Sequence, residues 1–297
     1  EICETFNEAS SLNYYCSASK DLNLAFQRFI LDLSPPQMAL IRNKGKAEFN
    51  ELVCNKHGNY LIQRIVQKDL QFANFAVRTC MDNFETLATN EYSSRVMQLM
   101  IGERQDFREF VHGYFRDHIR FACSKLTVTF LLMIAIRHSP KCADFAYIHE
   151  AMVQDPSLAG IALFKRILIS YFQFANDEMA NETWTYLRKV CSFESFFDKK
   201  FNSLLLLMIV RRGFSSAVSD IFWHLSKRFG ALIDRKCFKL IVEKLLQSKY
   251  ADCRQQLKES LTSVSLQDII SLFNKSASDF YYYLYVTVAA FGTKDSQ

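Results

Sequence analysis

The chain has 297 residues, a formal net charge of +5, and 49% hydrophobic against 23% charged residues. It has ample material for a core and no block of like charges that could act as a basic tail. Eight Gly and four Pro are too few for a turn-dense β protein, and the longest apolar runs, residues 130–136 and 204–210, fall far short of the ~20 residues a membrane helix needs.

Apolar residues recur at i, i+3, i+4 and i+7, as at Phe107, Phe110, Val111, Tyr114 and Phe115, and this spacing predicts amphipathic helices along the chain. Taken in order, a short motif keeps returning. It first occurs as Asn23-Leu24-Ala25-Phe26-Gln27-Arg28, and Pro35-Pro36 after it marks an inter-repeat turn. It returns as Asn59-Tyr60-Leu61-Ile62-Gln63-Arg64, inside residues 54–67 (CNKHGNYLIQRIVQ) with Gly58 just ahead. A helix over residues 72–84 is predicted next, with Phe72, Phe75, Ala76, Thr79, Cys80 and Phe84 on one face. The third copy is Ser94-Arg95-Val96-Met97-Gln98, whose helix turns Val96, Met97, Met100 and Ile101 inward.

A fourth copy begins at Thr129, where Phe130 replaces Tyr60 and Met133 replaces Gln63. Further units are aligned at residues 161–165, after the turn-like Asp155-Pro156-Ser157, and at 203–207, 239–243 and 279–283. The first three intervals, from 23 to 59, 94 and 129, are 36, 35 and 35 residues. A fixed period of this size signals a helical repeat array, in which each unit buries its apolar face only against its neighbours. Within the pentad the first and fifth residues are i and i+4 and share a helix face, and the two apolar residues between them point to the core. Each repeat is therefore expected to offer a two-pronged polar pair.

Residues 49–67 and 87–100 resemble the repeat signature of the Pumilio (PUF) family, and residues 21–31 match it through the pentad with Leu22 where the family has Gly. The resemblance is clear over about residues 15–135. It implies an all-α fold, a right-handed curved solenoid of about eight repeats of ~36 residues, forming one domain over 1–297 with degenerate repeats beyond 135. It also implies that single-stranded RNA binds one base per repeat, the first and fifth pentad residues reading the base edge and the second stacking on it. Carried over, Asn23 and Gln27 would read U, Asn59 and Gln63 would read U with Tyr60 stacking, and Ser94 and Gln98 would read A with Arg95 stacking. Since the family binds RNA antiparallel to its repeats, these three pairs imply 5′-A-U-U-3′. Phe130 keeps a stacking ring, but Met133 has no amide. The pairs at 161/165, 203/207, 239/243 and 279/283 match no ordinary reader, which argues against a standard UGU target.

The bound partner is expected to be mRNA, with no cofactor, no catalysis and a monomeric state. No Gly-rich phosphate loop or G-x-S-x-G motif occurs, and His112 and His118 are six apart and do not share a helix face. Nine scattered cysteines without a CxxC pair read as reduced thiols, so the expected compartment is the cytoplasm, with the nucleus or nucleolus as the alternative. The aromatic cluster at 280–285 reads as a C-terminal cap. The competing reading is a scaffold of the same fold, binding a protein partner on its convex face or C-terminal half, because repeats 4–8 lose their readers and keep their apolar pattern.

Overall fold

In a computed structural model of the protein, residues 11–17, 20–198, 200–232 and Ile241 are described, and among them every regular element is helical. Backbone contacts divide the chain into two compact units, Glu1–Ile148 and His149–Gln297. The first contains α1 (Leu12–Ser17), α2 (Lys20–Leu31) and α3 (Pro35–Ala47). Two three-helix modules follow: α4 (Phe49–Val53), α5 (Gly58–Lys68) and α6 (Leu70–Asp82), then α7 (Phe84–Thr89), α8 (Ser93–Glu103) and α9 (Gln105–Asp117). Next come α10 (Ile119–Ala122), α11 (Leu126–His138) and a 3-10 turn at Cys142–Phe145. Helix α12 (Tyr147–Gln154) carries the chain into the second unit. There a 3-10 turn (Pro156–Gly160), α13 (Ala162–Phe174) and α14 (Asp177–Val190) form one module, and α15 (Ser195–Asp198), α16 (Lys200–Arg212) and α17 (Ser215–Leu232) form another.

A module is thus a short helix, a longer one carrying the pentad, and a long third helix. The pentad helices stack in sequence, α2 on α5, α5 on α8 and α8 on α11 in the first unit, and α13 on α16 in the second. Their contact rows are the buried third, fourth, seventh and eighth positions, such as Leu61, Ile62, Ile65 and Val66 in α5 and Leu205, Leu206, Ile209 and Val210 in α16. Burying a side chain of this size is worth about 1.5–3 kcal/mol, so these rows dominate the cohesion of the stack. Aromatic clusters fill the rest, with Phe49, Phe72 and Phe75 at centroid separations of 5.5–6.1 Å.

The helix ends explain why the chain breaks where it does. Asp69 caps α6 by accepting from the Phe72 N–H at 2.7 Å while also taking the Arg42 Nε–H at 2.9 Å. Asn176 caps α14 through the Met179 N–H. These side chains satisfy N-terminal donors that have no partner within the helix.

Three sequence expectations shift. Pro35 and Pro36 open α3, with Ser34 and Gln37 forming a capping box; a proline in the first helical turn gives up no bonded N–H. The helix expected over 72–84 ends at Asp82, and Phe84 starts α7 instead, because Asn83 leaves helical geometry (φ −117°, ψ 29°). The unit aligned at 161–165 is misregistered by four residues. Ile161 is the extended residue that precedes α13 (φ −78°, ψ 125°), and the burial pattern of the other pentads recurs with Ile167 and Leu168 as its core pair. The pentad of that module is therefore Lys165-Arg166-Ile167-Leu168-Ile169. The units aligned at 239–243 and 279–283 and the aromatic cap at 280–285 lie outside the described residues.

Candidate nucleic-acid interface

The first pentad position is not on the surface. Asn23, Asn59, Ser94 and Thr129 are all buried, Asn59 completely. Second positions are open, Tyr60 being 42% and Leu24 42% exposed, with Arg95 exposed and Phe130 half-buried. At the fifth position Gln27, Gln63, Gln98 and Met133 are half-buried. The expected two-pronged pair is therefore one prong above another.

Local chemistry explains this. Asn59 sits in the first turn of α5, beneath the 54–57 loop, and its Nδ2 donates to the carbonyls of Asn55 at 2.9 Å and Lys56 at 2.8 Å. With both amide hydrogens committed, its Oδ1 is left to accept from Gln63 Nε2 at 3.1 Å, one turn further along the helix. Gln27 donates to Asn23 Oδ1 in the same way. The pair therefore acts as a unit, with the first residue orienting the amide of the fifth. What remains open on Gln63 is one N–H and the carbonyl oxygen, a donor and an acceptor side by side. Ser94 differs, because its Oγ donates to the Glu91 carbonyl at 3.1 Å and not to Gln98. Thr129 Oγ1 likewise bonds the carbonyls of Ala122 at 2.8 Å and Lys125 at 3.1 Å.

Two residues that the motif search passed over hold these helices in place. Asn55 Oδ1 accepts from the N–H groups of His57 and Gly58, and Asn90 Oδ1 accepts from those of Tyr92 and Ser93. Both lie four residues before a pentad, a spacing visible when CNKHGN is written above TNEYSS. Gly58 allows the close approach of α4, since a Cβ there would stand 2.5 Å from the Leu52 carbonyl oxygen. Ser93 occupies the equivalent place in α8 and turns the contact into a hydrogen bond from its Oγ to the Leu87 carbonyl.

Adjacent second positions meet. Arg95 Nη1 donates to the Tyr60 hydroxyl at 3.0 Å, so a phenol ring and a planar guanidinium from consecutive modules lie side by side at the surface. Both groups can stack on a base face. Arg28, Arg64 and Lys68 are exposed along α2 and α5 and add positive charge to this surface. Lys68 also ties the two helices together through the Leu31 carbonyl at 2.7 Å.

The second unit's pentads carry different chemistry. Lys165 and Ile169 occupy the first and fifth positions of α13, and Ser203 and Leu207 those of α16, where Leu204 is 37% exposed. Neither has an amide in the fifth position. Asn202, buried beside Ser203, is spent on the Ser195 carbonyl at 2.6 Å.

Burial raises the Cys80 and Cys123 thiols to about 12, which keeps them protonated and poorly nucleophilic. Among the described residues no group of three His, Cys, Asp or Glu is placed to hold a metal ion.

No family model matches the sequence, and no curated protein matches it. Solved structures do. The Puf4 RNA-binding domain bound to the HO endonuclease RNA 3′ UTR recognition sequence superimposes with a TM-score of 0.80 at 15% identity, covering 97% of this chain and 90% of that one. The Puf3 RNA-binding domain bound to Cox17 RNA gives 0.79 at 15% identity, covering 97% and 85%. PUF-8 in complex with PBE-RNA gives 0.75 at 14% identity, covering 95% and 89%. The chain accordingly has the α-helical repeat fold of the PUF RNA-binding domains, in a strongly diverged sequence.

Proposed function

We propose that the protein binds single-stranded RNA through the pentad face of its first unit, without catalysis, in post-transcriptional regulation or RNA processing in the cytoplasm. One observation carries this reading: the half-exposed amides of Gln63 and Gln98 flank two surface groups, Tyr60 and Arg95, that meet at 3.0 Å. Amides of this kind read base edges by paired donor and acceptor, and the ring and guanidinium accept any base on their faces at ~1–3 kcal/mol per base. The solved domains of the same fold named above were captured with RNA recognition sequences. Uracil fits the Asn59–Gln63 pair because the Gln63 amide, oriented by Asn59 Oδ1, keeps one N–H to donate to a uracil carbonyl and its carbonyl oxygen to accept the uracil N3–H. The Gln98 amide, untethered by Ser94, suits adenine. The motif is then A-U-U across the first three repeats, and phosphate attraction supplies a salt-dependent, sequence-independent share of affinity.

Selection of RNA from a random pool tests this, with Asn59→Ala/Gln63→Ala as the control protein. Enrichment of an A-U-U-containing motif by the native chain and its loss in the control is the expected result. No enrichment, with equal weak binding by both proteins, would sink the proposal.

A second reading is carried by the apolar second and fifth positions of α16. Leu204 and Leu207 suit a protein partner better than a base, which makes the second unit a scaffold surface. Partners that survive RNase treatment and the Tyr60→Ala and Arg95→Ala changes, and depart with Leu204→Asp, are expected if this reading holds.

A further inference from the structure

The first unit has a second recess, away from the pentads. A cleft of about 340 Å³ lies between one face of α9 and the Pro140–Asp144 turn, lined by Arg108, Glu109, His112, Gly113 and Arg116 on one side and by Pro140, Lys141 and Asp144 on the other. Helix α9 is a third helix of its module, not one that carries a reader.

Three features mark this cleft as a binding site. Its cations are held in place by neutral groups: Arg108 Nη1 donates to the Ile101 carbonyl at 2.8 Å, and the Arg116 guanidinium lies 5.7 Å over the Tyr147 ring. Neither arginine, nor Lys141, is in an ion pair among the described residues. The base of the cleft is fixed by a buried imidazole. His112 is 6% exposed, with its ring nitrogens 3.2 Å from the Tyr147 hydroxyl and 2.8 Å from Ser139 Oγ, and burial lowers its pKa, so it adds no charge. Finally, Gly113 stands inside a thirteen-residue helix, where glycine costs stability relative to alanine. A Cβ there would meet nothing within 4 Å. No packing demand of the fold explains this glycine, and its lack of a side chain leaves the cleft open at this point of the helix.

We propose that this cleft docks an acidic peptide segment of a partner protein, with carboxylates on Arg108, Arg116 and Lys141. Arg–carboxylate recognition is directional and can be bidentate. The two arginines are eight positions apart, about 12 Å along the helix at 1.5 Å per residue, which an extended peptide spans in about four residues. The ligand should therefore carry acidic side chains about four residues apart. Glu109 and Asp144 favour a peptide over RNA because they can accept its backbone N–H groups, donors that a phosphodiester lacks, while the acidic side chains of the peptide lie on the arginines.

Fluorescence anisotropy on the full chain tests this with three labelled probes: a short peptide with Asp and Glu at that spacing, its Asn/Gln counterpart, and a single-stranded RNA of similar length. The acidic peptide should bind saturably, and the counterpart should bind at least about tenfold more weakly. Gly113→Leu, which fills the cleft, and Arg116→Gln, an exposed change, should each weaken the acidic peptide about tenfold while leaving RNA affinity within about twofold. Helical circular dichroism identifies any misfolded variant, and Gly113→Met then replaces Gly113→Leu. No saturable peptide binding, equal binding to well-folded filled and open clefts, or loss of RNA instead of peptide on filling would each overturn the proposal. Because the RNA arm is measured separately, failure here leaves the pentad-face reading intact.

Discussion

In the first unit three pentads end in an amide, Gln27, Gln63 and Gln98, and a fourth in Met133, whereas in the second they end in Ile169 or Leu207. Their inward rows are nonetheless alike, with Leu61, Ile62, Ile65 and Val66 in one unit and Leu205, Leu206, Ile209 and Val210 in the other, all buried. Helix stacking and surface chemistry are thus carried by different residues of one helix. Surface positions contribute within about 0.5 kcal/mol to stability, so the second and fifth can change chemistry while the array persists. Ties between successive modules also differ. The second unit links α14 to α17 through Asp220, which accepts from Trp184 Nε1 at 3.0 Å and Arg188 Nε at 3.2 Å. The first unit has a buried ion pair between Asp69 and Arg42 at 2.9 Å.

The contrast can be broken most directly at the helix entrances. Gly58→Ala drives a Cβ into the Leu52 carbonyl and is expected to destabilise the first unit by about 2–4 kcal/mol. Gly160→Ala in the second unit, where a Cβ meets nothing within 4 Å, should stay within about 0.5 kcal/mol. Urea unfolding midpoints compare the two, and equal effects would refute the close approach at Gly58. Next in size is stacking. Tyr60→Ala should lower RNA affinity by about 1–3 kcal/mol, and Leu204→Ala should leave it within about twofold; a larger loss at Leu204 would mean that both units bind RNA. Smaller again, Asp69→Ala and Asp220→Ala should each destabilise by about 1–2 kcal/mol, with hydrogen exchange increasing only in the altered unit.

The smallest effect is acid sensitivity. Burial is the main cause that lowers both His112 and His224 below their ordinary value of 6.5, and Arg188 lowers His224 further. The unfolded chain therefore takes up these protons first as the pH falls. Stability should be flat between neutrality and about pH 8 and decline below about pH 6.5. His112→Gln and His224→Gln should each flatten that decline, the former more because its ring is the more buried. An unchanged slope in both would exclude these groups as its source.

Much of this was readable in the sequence, for uneven physical reasons. The helical array follows from apolar spacing that the stack requires, and the pentads at 59, 94, 129 and 203 fall in the register found. The spacing misplaces the one at 165 because Lys165 and Ile169 share no polar chemistry with the other pentads, so only burial reveals the match. Asn55 and Asn90 went unnoticed because a cap acts on backbone N–H groups and leaves no trace in an amphipathic pattern. The burial of the first pentad position was hidden for a related reason: sharing a face with the fifth residue does not show which of the two a preceding loop will cover.

That covered position limits how the surface can diversify. Asn59, Ser94 and Thr129 each donate to a carbonyl in the segment just before their own helix. In these three helices the residue there is short and carries a donor, whatever ligand lies above it. Aspartate, close to asparagine in shape, would set a carboxylate against two carbonyl oxygens and undo the entrance to α5. The vocabulary available for retargeting this position is therefore written by the backbone of the preceding loop, and a new specificity must be spelled in amides and hydroxyls or placed at the freer fifth position.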